Sequence, residues 1–158
     1  MTTARWDDTV SNHFKMVLSA ADALATKARE EVGTDHLLLA VSYQNGPLWR
    51  AVIRDMMLDP FGFRSHVESF VDAHSQAQTA APGPSGLLSP ESSAVFGEAI
   101  AHGNERGATS VLNVGTLLLG LASEKGGRVA HILAGYGINA VAFRDAVKRN
   151  LVRETDEL

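Results

Sequence analysis

Leu37-Leu38-Leu39-Ala40-Val41 recurs eighty positions later as Leu117-Leu118-Leu119-Gly120-Leu121, and this recurrence decides the fold. Both stretches are apolar nearly all round, which predicts short helices buried on every side. The same shift lays Gly46 on Gly126, Val52-Ile53 on Ile132-Leu133, and Leu58-Asp59 on Ile138-Asn139. It continues through Phe63-Arg64 on Phe143-Arg144 and Val67 on Val147. Upstream the shift is seventy-eight, with Ser11 on Ser89, Val17-Leu18 on Val95-Phe96 and Ala21 on Ala99. Turn signals and apolar positions that recur together mark an internal duplication.

Each half reads as four helices. Phe14, Val17, Leu18, Ala21, Leu24, Ala25 and Ala28 form one apolar stripe at helical spacing, with Ser11 as its N-cap. Gly33 breaks the chain, and Thr34 is expected to cap a second helix from Asp35 to near Tyr43. Asn45-Gly46 is a turn, and Pro47 suits the first position of a third helix. Asp59-Pro60 opens a fourth through Phe63, Val67 and Phe70. In the second half Ser89-Pro90 opens helix five and Gly107 helps end it. Gly126-Gly127 is the turn there, and helix eight runs from Asn139 to Leu151. No segment alternates with period two, so the expected fold is all-α, a tandem pseudo-twofold repeat of two four-helix units, eight helices in all. The expected organisation is a first repeat over 1–74, a Pro/Gly/Ser-rich linker over 75–88, a second repeat over 89–152 and an acidic tail over 153–158. Each unit alone is too small to be very stable, so the two are expected to pack as one domain.

With 158 residues, 45% hydrophobic and 20% charged, the chain is long enough to bury a core without covalent staples. It contains no cysteine, which excludes disulfides, Cys-ligated metal and a thiol nucleophile and fits a reducing, cytoplasmic setting. A net charge of -4 argues against nucleic acid as partner. No apolar run approaches the ~18 residues of a membrane span, and Met1 to Asp8 lack the layout of a secretory leader. No partner membrane is expected.

Catalytic signatures are missing too. The sequence holds no phosphate loop, dinucleotide fingerprint, nucleophile elbow or His-Glu-x-x-His pair. His13, His36, His66, His74, His102 and His131 never lie four residues apart, so no two-His helical metal site is expected. Asp35-His36 are neighbours on a helix and do not face one another, which reads as a dipole-stabilising acid beside a packing or capping imidazole. Arg144, Lys148, Arg149 and Arg153 read as a solvated basic face, followed by acidic Glu154, Asp156 and Glu157. Trp6, Trp49 and Tyr136 read as partly buried packing residues. Neither an enzyme nor a cofactor is expected.

Gly33-Thr34-Asp35-His36-Leu37-Leu38-Leu39-Ala40 resembles the Gly-Thr-Glu-His-Leu-Leu-Leu-Gly signature of the Clp ATPase N-terminal domain, or Clp repeat domain. Ser11 before Val17-Leu18, and Leu58-Asp59 before Phe63-Arg64, extend the likeness. So do Ser89-Pro90, Leu117 to Leu121 and Gly137-Ile138-Asn139 in the second copy. The resemblance implies a non-enzymatic module for regulated proteolysis in a bacterial cytoplasm, one that binds Clp substrates, adaptors or Clp subunits. It also implies that the AAA+ modules lie elsewhere, the chain being free-standing or an excised piece. The alternatives are a free-standing decoy that sequesters a peptide antibiotic or similar peptide-like small molecule, or an accessory that docks on the Clp complex. Some relatives bind phosphoarginine, and by position the ligand-binding residues would be Ser11, Thr34, Asp35 and Ser89. A hydroxyl-capped helix N-terminus would take the phosphate and a carboxylate the guanidinium. This reading groups Ser11 with Asp35 in the first copy and Ser89 with Gly115 in the second, where no carboxylate stands. The competing reading makes Ser11, Thr34 and Ser89 ordinary helix caps.

Overall fold

The computed structural model describes residues 10–77, 88–106, 112–123 and 127–153. Eight helices account for nearly all of them: α1 Asn12–Ala28, α2 Thr34–Gln44, α3 Pro47–Asp55, α4 Pro60–Ala77, α5 Pro90–Arg106, α6 Val114–Ser123, α7 Arg128–Gly135 and α8 Ala140–Arg153. The fold is all-α, as the periodicity requires. Trp6, Pro82 to Gly86, Gly107, Gly126 and the acidic residues after Arg153 lie outside the described residues.

Local chemistry accounts for the starts and stops. The Ser11 hydroxyl accepts the Phe14 N–H at 3.1 Å, and Ser89 Oγ accepts the Ser92 N–H at the same distance. Asp59 caps α4 through the Gly62 N–H, and Asn139 caps α8 through the Val141 and Ala142 N–H groups. These side chains satisfy donors that the first helical turn leaves orphaned. The N-cap of α2, however, is Gly33, and Thr34 is already helical. The orphan N–H at Gly33 is taken by His36 Nδ1 at 2.9 Å, so no hydroxyl is needed there.

Helices α2 and α6 form the centre. Every residue from Thr34 to Ser42 and from Val114 to Ala122 is buried, as their unbroken apolar runs predict. Around them the halves interlock: α3 of the first packs on α8 of the second, and α7 of the second packs on α4 of the first. One hydrophobic cluster therefore runs through both halves. Trp49 is fully part of it, with its ring 5.9 Å from Phe63 and 6.4 Å from the equivalent Phe143. Tyr136 is half-buried against Phe63. Arg149 is not merely solvated, since it forks onto Asp55 at 2.8 and 3.2 Å and so ties α8 to α3.

Helices α3 and α7 end in the same Schellman turn. Leu58 N–H reaches Ile53 C=O and Met57 N–H reaches Arg54 C=O, while Ile138 and Gly137 repeat both bonds eighty positions on. The left-handed position is glycine in the second copy, with φ +78°, but methionine in the first, with φ +57°. A side chain there is strained against the backbone carbonyl. Met57→Gly is expected to raise stability by about 1 kcal/mol, since the 90% exposed side chain contributes little burial. A thermal melt checks this, with a rise of about 2–4 °C at this chain length.

Candidate functional site

The segments that precede the helices of one half pair with segments of the other. Val10 bridges Leu112 and Val32 bridges Leu88, each as an isolated parallel contact. The Ser11 N–H donates to Leu112 C=O at 2.9 Å and the Ser89 N–H to Val32 C=O at 3.0 Å. The sequence-derived site residues are therefore grouped crosswise. Ser89 is bonded to the segment that leads into Thr34 and Asp35, and Ser11 to the segment that leads into Gly115. Linear order had paired Ser11 with Asp35, but the exchange of segments between halves reverses the pairing.

Asp35 is only 1% exposed and accepts Arg128 Nη1 at 2.9 Å through Oδ1, while Oδ2 has no hydrogen-bond partner. Arg128 opens α7, so the ion pair spans the two halves. Gly33 leaves the room for it: a Cβ at this position would lie 2.5 Å from Asp35 Oδ1 and 2.6 Å from Arg128 Nη1. His36 is fully buried and 3.7 Å from Asp35 Oδ1, yet its Nδ1 already accepts from Gly33. The imidazole proton then sits on Nε2, 3.4 Å from buried Glu30 Oε1. Asp35 therefore does not orient His36 as in a catalytic pair, as adjacency on a helix predicts. The buried Thr34 hydroxyl has no hydrogen-bond partner.

The second copy is built differently at the same positions. Asn113 and Thr116 form a reciprocal box, with Asn113 Oδ1 accepting the Thr116 N–H at 2.8 Å and Thr116 Oγ1 accepting the Asn113 N–H at 3.1 Å. Between them, a Cβ at Gly115 would lie 2.5 Å from Leu151 Cδ2 and 3.3 Å from Leu48 Cδ2. Where the first half places a carboxylate, the second uses the space to seat α8.

Several grooves open on the surface among the described residues, and three of them bear on function. One, of about 510 Å³, lies between the equivalent first helices α1 and α5, lined by Leu18, Val32, Leu88 and Phe96 with Lys15 and Asp22 at its edge. The other two lie at overlapping positions of the two repeats, sharing the pairs Ser42/Ala122, Arg50/Ala130, Pro60/Ala140, Phe61/Val141 and Arg64/Arg144. The first-half groove, about 580 Å³, has buried Trp49 and Ile53 as its floor, Arg50, Arg54 and Arg64 in its walls, and exposed Met57 and Phe61. The Arg64 guanidinium sits 5.4 Å from the ring centres of both Tyr43 and Phe61. The Tyr43 hydroxyl donates to Glu68, and this bond, with partial burial, pushes the phenol above its ordinary range. The second-half groove, about 760 Å³, is lined instead by Ala130, Ala140, Val141 and the carboxylates Glu91 and Glu98, with Arg144. Sequence reading missed Arg128, Met57 and the arginine cluster. The signal for Met57 was present, because it stands where the second repeat has Gly137. Among the described residues no group of His, Asp or Glu could hold a metal, and no helix is long and apolar enough to cross a membrane.

No curated protein matches the chain in sequence. Among solved structures it is similar to one reported under preliminary structural investigations of a malarial protein secretion system, at 17% identity and TM-score 0.72, covering 93% of this chain and 97% of that one. The N-terminal domain of the caseinolytic protease associated chaperone ClpD from Arabidopsis thaliana matches at 18% identity and TM-score 0.68, covering 91% and 95%. The Hsp104 N-terminal domain from Candida albicans matches at 13% identity and TM-score 0.74, covering 94% and 93%. These likenesses show a shared fold. Residues 9–136 match the family described as the Clp repeat (R) N-terminal domain, and with most of its length matched the chain belongs to that family.

Proposed function

We propose that the chain is a non-enzymatic recognition domain that binds protein or peptide segments, substrates or adaptors, on behalf of a Clp-type unfoldase in regulated proteolysis. The observation that carries this is the α1–α5 groove, where Leu18, Val32, Leu88 and Phe96 line an apolar slot between the two repeats. Apolar clefts with a few polar groups at the edge are where proteins take up ligands. An unfolded polypeptide offers the exposed aliphatic and aromatic side chains that such a slot can desolvate. The two repeats, 1–74 and 89–152, are read as one cooperative unit, because each contributes one wall of the groove.

The finer reading for phosphoarginine-type ligands takes the crossed grouping. Ser89 with Thr34 and Asp35 would form the only site with a carboxylate, and Arg128 already occupies that carboxylate. Ser11 is bonded to the segment that leads into Gly115, a position with no acid to offer a guanidinium.

Titration of the purified chain with a soluble, permanently unfolded polypeptide, followed by fluorescence anisotropy, tests the reading. Saturable binding is expected, reduced about tenfold or more by Leu18→Lys, because displacing one apolar contact of ~1.5–3 kcal/mol has that effect. Binding that ignores Leu18→Lys would move the site elsewhere, and no binding at all would refute the reading.

A further inference from the structure

We propose that the α2–α3–α4 groove is a second docking surface, built for an acidic peptide segment that also carries aliphatic or aromatic residues. Charge argues first. The chain as a whole carries -4, yet Arg50, Arg54 and Arg64 surround this one groove. Of the nearby carboxylates, Asp55 is paired with Arg149 and Asn150, while Asp59 accepts the Gly62 N–H and Glu68 accepts from Tyr43. Chemistry argues second. Met57 is 90% exposed and Phe61 72% exposed, beside the Trp49–Ile53 floor, so the cations border apolar surface that water leaves unsatisfied. Arginine and aromatic side chains are the groups that dominate interface energies.

The second repeat supplies the control. Eighty positions on, Arg50, Arg54, Met57 and Phe61 are Ala130, Ala134, Gly137 and Val141, while the helices keep their places. The fold therefore requires neither Arg50 and Arg54 nor the Met57 side chain, whereas Arg64 keeps a counterpart in Arg144 and Phe61 an exposed apolar one in Val141. Met57 even holds a left-handed backbone where glycine serves in the other copy. Strain kept for an exposed side chain points to a use for it. The overlapping groove of the second repeat extends onto α5, where Glu91 and Glu98 line it beside Arg144, and these two carboxylates would repel the same segment. One site per chain follows.

This surface is separate from the α1–α5 groove and stands independently of it. The test is fluorescence anisotropy with a short labelled peptide that alternates Glu or Asp with Leu and Phe. One-to-one binding is expected, weakening as salt is raised because exposed charges are screened. The same peptide with Lys at every acidic position should bind at least about tenfold more weakly, a difference of about 1.4 kcal/mol. Arg54→Glu, at an exposed helical position, should weaken the acidic peptide by a similar factor. Met57→Gly should weaken it too, by severalfold, while the melting temperature does not fall, which separates lost contact from lost fold. Equal affinity for the two peptides, or unchanged affinity in both variants, overturns the proposal. So does displacement of the peptide by a single-stranded oligonucleotide, which would assign the arginines to phosphate. Capture of the unfolded polypeptide should survive Arg54→Glu. If that capture fails in the wild-type chain while the acidic peptide still binds, the α1–α5 reading falls and this one stands.

Discussion

Truncating Leu38 or Leu118 to alanine is expected to cost about 2–5 kcal/mol, the range of a Leu→Ala change at a packed site. Both side chains are fully buried, at equivalent points of the central helices α2 and α6. Each loss combines transfer of the removed atoms with the cavity left behind, which helices clamped on all sides cannot close. Against a typical total stability of about 5–15 kcal/mol, either change is large. The measurement is urea unfolding, with Val141→Ala as control: that side chain is 54% exposed, and its loss should stay within about 0.5 kcal/mol. Because the halves interlock, a single transition is expected in each variant, with the midpoint lowered and the slope kept. Two separated transitions would mean that the repeats unfold independently.

Arg128→Ala is expected to cost about 2–3 kcal/mol, somewhat below the ~3–5 kcal/mol of a fully buried pair because the arginine is 30% exposed. The loss comes from what remains. Asp35, 1% exposed in the intact protein, is left with neither carboxylate oxygen paired to a cation, and a poorly solvated charge is costly. Adding Asp35→Asn to Arg128→Ala should recover most of the loss, since the residual charge is gone. A double-mutant cycle by chemical denaturation measures the coupling. Additive effects of the two changes would show that the pair contributes nothing across the repeats.

The first and second repeats solve one packing problem with different chemistry. Leu37 to Leu39 and Leu117 to Leu119 are interchangeable core. Asp35 and Gly115 are not. The first half spends a buried position on an inter-repeat ion pair, the second on room for Leu151. The grooves diverge in the same sense, one basic and aromatic, one acidic with small side chains.

The helices, their caps at Ser11, Asp59 and Ser89, the burial of the two leucine runs and the duplication were legible in the sequence alone. They depend on residues within a few positions of one another, where 3.6-residue periodicity and cap chemistry act. The offset change from seventy-eight to eighty even located where the copies differ in length. What the sequence could not decide was which copy of each segment meets which. The exchange that sets Ser89 against Val32 and Ser11 against Leu112, and the reach of Arg128 to Asp35 across 93 positions, are long-range choices. In a duplicated chain either pairing satisfies the same local pattern, because equivalent segments present nearly the same apolar faces. Only the packing of α3 on α8 and of α7 on α4 around one shared core selects the crossed arrangement, and with it the composition of every site between the repeats.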